Sequence, residues 1–121
     1  LQMFDWYYMD EKEEYHYAKK YITNADKVLE VGSGKGAFAK HLSTKDYVGL
    51  DFSKKAKIMA AENGVTIENE MVQDYAKNHN EEFDVVVSFQ VLEHVSDPKN
   101  FIEAKIEALK VGGKLIIAVP S

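Results

Sequence analysis

The sequence predicts an α/β domain organised as an open, doubly wound sheet of parallel strands. Short β-branched runs alternate with stretches of helical periodicity, and that alternation implies parallel pairing through right-handed crossovers. Three of the runs are nearly all apolar, so helices must cover both faces of the sheet. Glycines punctuate the chain where a linker would be rich in Pro or Ser, and neither repeats nor low-complexity tracts interrupt it. In such sheets a ligand binds beyond the carboxyl ends of the strands, where the strand order reverses.

The elements follow in order. Residues from about Asp10 to Ile22 read as a polar helix with Tyr8, Tyr15 and Tyr21 near one side. Lys27-Val28-Leu29-Glu30-Val31 is a buried strand that stops at Gly32 and feeds a turn. Phe38, His41 and Leu42 then recur at helical spacing, which predicts a helix starting near Lys35. Tyr47-Val48-Gly49-Leu50 is a second strand closed by Asp51. Ser53 is placed to N-cap a helix through Ile58, Met59 and Ala60, and Asn63-Gly64 ends it. Val65-Thr66-Ile67 suits a third strand, and Val85-Val86-Val87-Ser88-Phe89 is the strongest strand signal in the chain. Asp97-Pro98 caps and opens a helix with Ile102, Ile106 and Leu109 on one apolar stripe. Gly112-Gly113 turns the chain into a fifth strand, Lys114 to Val119, which Pro120 ends.

Composition narrows the function classes. Hydrophobic residues at 45% and charged residues at 29% match an ordinary globular domain, neither disordered nor membrane-embedded. No apolar run approaches the roughly 20 residues of a membrane span. The start Leu1-Gln2-Met3-Phe4-Asp5 lacks the basic and apolar regions of a signal peptide. Without cysteine there is no disulfide, thiolate nucleophile or zinc–thiolate site, and a cytoplasmic location is expected. The net charge of −5 disfavours nucleic acid as a substrate, because phosphate neutralisation needs a basic stripe. Lys19-Lys20 and Lys54-Lys55-Lys57 alternate with acids and apolar residues and read as solvated helix faces.

The unusual residues gather at the carboxyl ends of the strands. Gly32, Gly34 and Gly36 permit a tight turn in which a ligand meets bare backbone amides, and Ser33 belongs to the same loop. The helix expected to follow would aim its free N–H groups at that point. Asp51, ending the second strand, can accept both hydroxyls of a ribose. Together these predict an adenosine-containing cofactor. Gly32-x-Gly34-x-x-Ala37 also satisfies the dinucleotide fingerprint in its alanine form. Glu30 tilts the choice, since a carboxylate beside the loop repels a pyrophosphate and attracts an ammonium or sulfonium.

These motifs resemble the class I S-adenosylmethionine-dependent methyltransferases. Val28-Leu29-Glu30-Val31-Gly32-Ser33-Gly34-Lys35-Gly36 looks like their first motif, and Val48-Gly49-Leu50-Asp51-Phe52-Ser53 is similar to their ribose-binding motif. Phe83 to Ser88, continuing through Leu92-Glu93-His94-Val95, resembles the fourth motif of the small-molecule "type 11/12" members. Leu109 to Leu115 is like the late motif before strand five. The match runs in order over residues 26–121. The resemblance implies a Rossmann-like sheet in the order 3-2-1-4-5, with residues 1–25 as an N-terminal aromatic helix or lid and 26–121 as the cofactor-binding domain.

The resemblance also implies roles. Gly32, Ser33, Gly34 and Gly36 would wrap the methionine moiety of S-adenosylmethionine, and Glu30 would hold its amino group. Asp51 would bind the ribose hydroxyls, Phe52 would lie against adenine, and Asp74 in Gln73-Asp74 would meet the adenine edge, with Tyr75 lining that pocket. Ser88 and Phe89 would sit beside the sulfonium. S-adenosylhomocysteine would be the product and a small molecule the methyl acceptor. No metal is expected, because Gln90 stands where metal-binding relatives place an acid before Glu-His. No residue stands out as catalytic: His94 could act as a general base, but with Glu93 it better suits capping of the next helix. Phe4, Trp6, Tyr7, Tyr8, Tyr15, Tyr17 and Tyr21 either pack a helix on the sheet or, through Tyr7, Tyr8 and Tyr15, close over the cofactor.

One departure from the family stands out. Its sheet normally continues past strand five with an antiparallel pair, whereas this chain stops at Ser121. An unpaired strand edge is then expected, open to a homodimer contact or another polypeptide. Two other classes fit parts of the pattern: a non-catalytic module that binds S-adenosylmethionine or a nucleotide, and an NAD-binding domain.

Overall fold

The computed structural model describes residues 11–89 and 97–118. Its sheet has five parallel strands in the order β3-β2-β1-β4-β5, as the sequence predicts. The strands are β1 (Val28–Val31), β2 (Tyr47–Leu50), β3 (Thr66–Glu68), β4 (Phe83–Phe89) and β5 (Leu109–Ala118). The helices are α1 (Glu11–Lys19), α2 (Lys54–Glu62), α3 (Val72–Tyr75) and α4 (Pro98–Ala108). Among the described residues no helix is long and apolar enough to cross a membrane.

Side chains alternate between the faces of a strand, and both faces of this sheet are covered. Leu29, Val31, Leu50 and Val86 meet Val72 and Tyr75 of α3 and Phe101, Ala104 and Ala108 of α4 on one side. Val28, Tyr47, Ile67, Val85 and Val87 meet Tyr15 and Ala18 of α1, Phe38, and Ala60 of α2 on the other. Every residue of β1 is therefore buried. The chain runs outward from β1 to β2 and β3, then returns to place β4 on the opposite side. That reversal opens a crevice at the carboxyl ends of β1 and β4.

The amino ends of the strands are tied by charge. Asp84 Oδ2 accepts from the Lys27 backbone N–H at 2.7 Å, joining β4 to the start of β1. That bond, and then the Lys110 ammonium 3.3 Å away, holds the Asp84 carboxyl below its usual range. Glu82 lies 2.9 Å from both Lys27 Nζ and His79 Nδ1.

The α2 helix begins as its sequence signals. Ser53 Oγ accepts from the Ala56 N–H at 3.0 Å, and Gly64 lies in the left-handed region just beyond the end. Only Ala56 and Ala60 of α2 are buried, so the cap carries much of the definition of this helix. Ser53→Ala is expected to cost about 1 kcal/mol, read as a lower urea midpoint at unchanged slope.

Four local expectations change. The helix predicted after the glycines is only a 3₁₀ turn over Ala37–His41, because Gly36 (φ 80°) and extended Leu42 bracket it. The loop's own backbone, not the end of a long helix, therefore lines the crevice. In α4 the buried residues are Phe101, Ala104, Lys105 and Ala108, while Ile106 is 54% exposed. The buried stripe thus lies off the predicted one, with small Ala104 and Ala108 letting the helix close on the sheet. Strand β5 pairs from Leu109, earlier than predicted, but its register slips between Phe83↔Leu109 and Val85↔Lys114. The extra residues bulge where Gly112 takes φ 82°. Tyr21, expected beside Tyr15, is 48% exposed and lies against Tyr17 instead. Tyr8 and the strand end at Pro120 lie outside the described residues.

Candidate functional site

At the carboxyl end of β1 the chain turns through Gly32, Gly34 and Gly36, with φ of 76°, 55° and 80°. Side chains with a Cβ rarely adopt such angles, so this loop is built to present backbone rather than side chain. Gly32 and Ser33 each donate to the Leu50 carbonyl, at 2.8 and 3.0 Å, and this pins the loop to the end of β2. From there Asp51 reaches back: its Oδ1 accepts from the Gly34 N–H at 3.2 Å and its Oδ2 from the Ser53 N–H at 3.0 Å. Asn69 Nδ2 donates to the Asp51 carbonyl at 2.7 Å, so the acid is held from three elements.

A cleft of about 260 Å³ opens beside this loop. Its walls are Glu30, Gly32, Ser33, Gly34, Lys35 and Ala37, closed by Glu14 and Tyr15 of α1 and by Phe89 of β4. The rings of Tyr15, Phe38 and Phe89 stand 4.9–5.1 Å apart at steep angles, so one aromatic cluster is both core and cleft wall. Glu30 is 2% exposed. A carboxylate so buried needs donors around it, and the Tyr47 hydroxyl donates to its Oε1. Burial and the neighbouring Glu30 charge push the Tyr47 phenol well above its ordinary value. A carboxylate at the foot, glycine backbone along one wall and aromatic rings opposite suit a ligand with a slender chain and a cationic end. A pyrophosphate would meet the Glu30 charge instead.

The structure gathers Glu30, Gly32, Ser33, Gly34, Tyr15 and Phe89 around one cleft, with Asp51 bonded to its rim. Gly36 ends the loop, and Phe52, 68% exposed, follows Asp51 at the surface. Gln73 and Asp74 lie on α3, Gln73 half-buried and Asp74 exposed near Lys77. Tyr75 turns into the opposite core, its ring stacked on His79 at 3.8 Å, and is not part of the cleft wall. Ser88 is buried at the end of β4, where its Oγ accepts from Lys105 Nζ at 2.8 Å. His94, Glu93, Gln90, Tyr7, Tyr8, Phe4 and Trp6 lie outside the described residues. Among the described residues no group of three histidines or acids could hold a metal ion.

Sequence reading passed over Tyr47, Glu14 and Lys35. Strand parity could have found Tyr47: in the parallel register Val28 opposes Tyr47 and Glu30 opposes Gly49, so all four share a face. Nothing in the sequence marks Glu14, whose place follows from how α1 docks.

A family model for a methyltransferase domain matches residues 6–121. The chain belongs to the class I S-adenosylmethionine-dependent methyltransferases. It is similar to the ubiquinone biosynthesis O-methyltransferase of Salmonella newport (strain SL254), 34% identical over 100 residues, covering 76% of this chain and 41% of that protein. The chain thus spans about two-fifths of the length of the curated relatives it matches. Two solved structures share the fold. One is the complex between the Haloferax volcanii Trm112 methyltransferase activator and a methyltransferase, with TM-score 0.73 and 23% identity over 90% of this chain and 54% of that one. The other is geranyl diphosphate C-methyltransferase from Streptomyces coelicolor A3(2), with TM-score 0.76 and 13% identity over 88% and 45%.

Proposed function

We propose that this chain is the cofactor-binding part of an S-adenosylmethionine-dependent methyltransferase that acts on a small-molecule acceptor. The buried Glu30 carboxylate at the foot of a cleft walled by the backbone of Gly32 and Gly34 carries this reading. S-adenosylmethionine, when bound, supplies an electrophilic methyl group for in-line displacement. The chain's residues then only bind and orient. Glu30 faces the amino group, and the backbone of Gly32 to Gly34 lies along the methionine moiety. Asp51 keeps acceptor capacity for the ribose hydroxyls beside its two backbone bonds, since a carboxylate has about four lone-pair sites. Phe52, Gln73 and Asp74 lie on the route to an adenine. Tyr15 and Phe89 keep water from the sulfonium side, which supports a covering role for α1, the described helix of the segment 1–25, over the domain 26–121. The curated relatives' names favour oxygen as the accepting atom.

Isothermal titration with S-adenosylhomocysteine tests the reading. Binding that Asp51→Ala weakens on the order of a hundredfold is expected, because two charge-assisted hydrogen bonds are lost. No binding at millimolar ligand, or indifference to Asp51→Ala, would sink it. A thermal shift with NADH but not S-adenosylhomocysteine would favour the dinucleotide reading instead. Binding without transfer of a labelled methyl group to mixed acceptors would favour the non-catalytic module.

A further inference from the structure

We infer that Tyr47 is a positioning residue for the cofactor: its hydroxyl holds the Glu30 carboxylate against the amino group of the methionine moiety. The inference rests on the cofactor reading above and adds to it a residue outside the loop and the strand ends. Tyr47 begins β2, beside Val28, and is 7% exposed. Its side chain runs along the face of the sheet past Gly49 and ends at Glu30 Oε1, on the neighbouring strand. The Ser33 hydroxyl, on the glycine loop, donates to the Gly34 carbonyl at 3.2 Å. A Cβ on Gly49 would lie 2.5 Å from Ser33 Oγ, so the bare strand residue leaves Ser33 the room it occupies. Second strand and buried acid are thereby joined through Tyr47 and Glu30, with Ser33 of the glycine loop packed over Gly49.

The arrangement has two physical effects. A carboxylate with no fixed donor can rotate, and a buried one that loses its charge loses its pull on an ammonium. The phenol supplies a fixed donor to Oε1 of a carboxylate that lines the cleft. Burial and the Glu30 charge keep that phenol protonated, so it remains a donor wherever Glu30 is ionised. Neutral, buried and directed along the strand, Tyr47 orders the acid without cancelling its charge, as a lysine there would. Tyr47 itself is not in the cleft wall, so its contribution passes through Glu30.

The test compares two ligands that differ at the end Glu30 faces. S-adenosylhomocysteine carries the amino and carboxyl groups; 5′-methylthioadenosine keeps the adenosine and sulfur and lacks both. Affinities of the full chain for each are measured by titration in wild type, Tyr47→Phe, Glu30→Gln and the double variant. Tyr47→Phe is expected to weaken S-adenosylhomocysteine about tenfold, the scale of a hydrogen bond to a charged group, and to leave 5′-methylthioadenosine within about twofold. In the Glu30→Gln background the same change is expected to have no further effect on the ratio. Tyr47→Met, which also lacks the hydroxyl and fills the buried space with a flexible side chain, should move the ratio in the same sense, and decides the matter should Tyr47→Phe not fold. Equal losses for both ligands, or an unchanged ratio, overturn the role of Tyr47 while the cofactor reading stands. A wild-type chain that binds neither ligand overturns both.

Discussion

Replacing Gly49 with alanine is expected to lower folding stability by about 2–3 kcal/mol and weaken S-adenosylhomocysteine binding at least about tenfold. The φ of Gly49 is not the reason. An added Cβ would stand 2.5 Å from Ile67 Cδ1, 2.5 Å from Ser33 Oγ and 2.6 Å from Ser33 Cβ. The Ile67 methyl is the end of a flexible chain and can turn away at modest cost. Ser33 cannot, because its own N–H is bonded to the Leu50 carbonyl and its Cβ is fixed to that backbone. Relief therefore requires the glycine loop to lift from β2, which stretches the Gly32 and Ser33 bonds to Leu50 and the Gly34 bond to Asp51. Stability and affinity should fall together. Urea denaturation and titration on one sample check this, and Gly49→Ala with wild-type affinity would show that Ser33 yields without moving the loop.

Lys105→Met is expected to stabilise the chain by about 2 kcal/mol at pH 7. Lys105 is fully buried on α4, with its Nζ bonded to Ser88 Oγ and 3.9 Å from the centre of the Phe101 ring. Neither partner carries a negative charge, and burial draws the ammonium pKa down to about 8. The unfolded chain holds this proton up to its ordinary value, so below pH about 8 the folded state bears the whole cost of a buried charge. As the pH rises through that value the folded state releases the proton first and gains stability relative to the unfolded chain. Wild type should therefore become more stable between pH 8 and 10, by up to about 2 kcal/mol. Tyr47 and Tyr75, whose pKa values are raised in the folded state, reverse the trend above pH 10. Lys105→Met should lack the rise. Denaturation midpoints at pH 7, 8, 9 and 10 check both statements, and a variant less stable than wild type at pH 7 would contradict the first.

Both predictions concern positions that the sequence did not single out, and the reason is common to them. The parallel sheet was legible because Val28–Val31 and Val85–Val87 are apolar enough to demand cover on two faces. The Gly32–Gly36 turn and Asp51 were legible because backbone angles and strand-end placement are local properties, which the sequence carries directly. What Tyr47 touches depends on which residue of β1 it opposes, and that register appears only when the sheet assembles. The phase of α4 likewise depends on docking. Ile102 and Ile106 form a stripe on paper, but the closer packing of Ala104 and Ala108 outweighs it and carries Lys105 inside. The turn after Gly36 reads as a helix by periodicity alone, and the left-handed Gly36 cuts it short.

The charge ties at the amino ends of the strands have a practical consequence. Lys27, Glu82, His79, Asp84 and Lys110 lie at the edge of the sheet farthest from the cleft, and each ion pair there is partly in water. Pairs of that kind contribute little one by one and tolerate exchange. This rim is thus the place to graft tags, fluorophores or altered surface charge, because changes there need not propagate to the cleft through any shared hydrogen bond. The opposite rim offers no such freedom: Ser33, Gly34 and Asp51 hold one another, so alteration of one reshapes its neighbours.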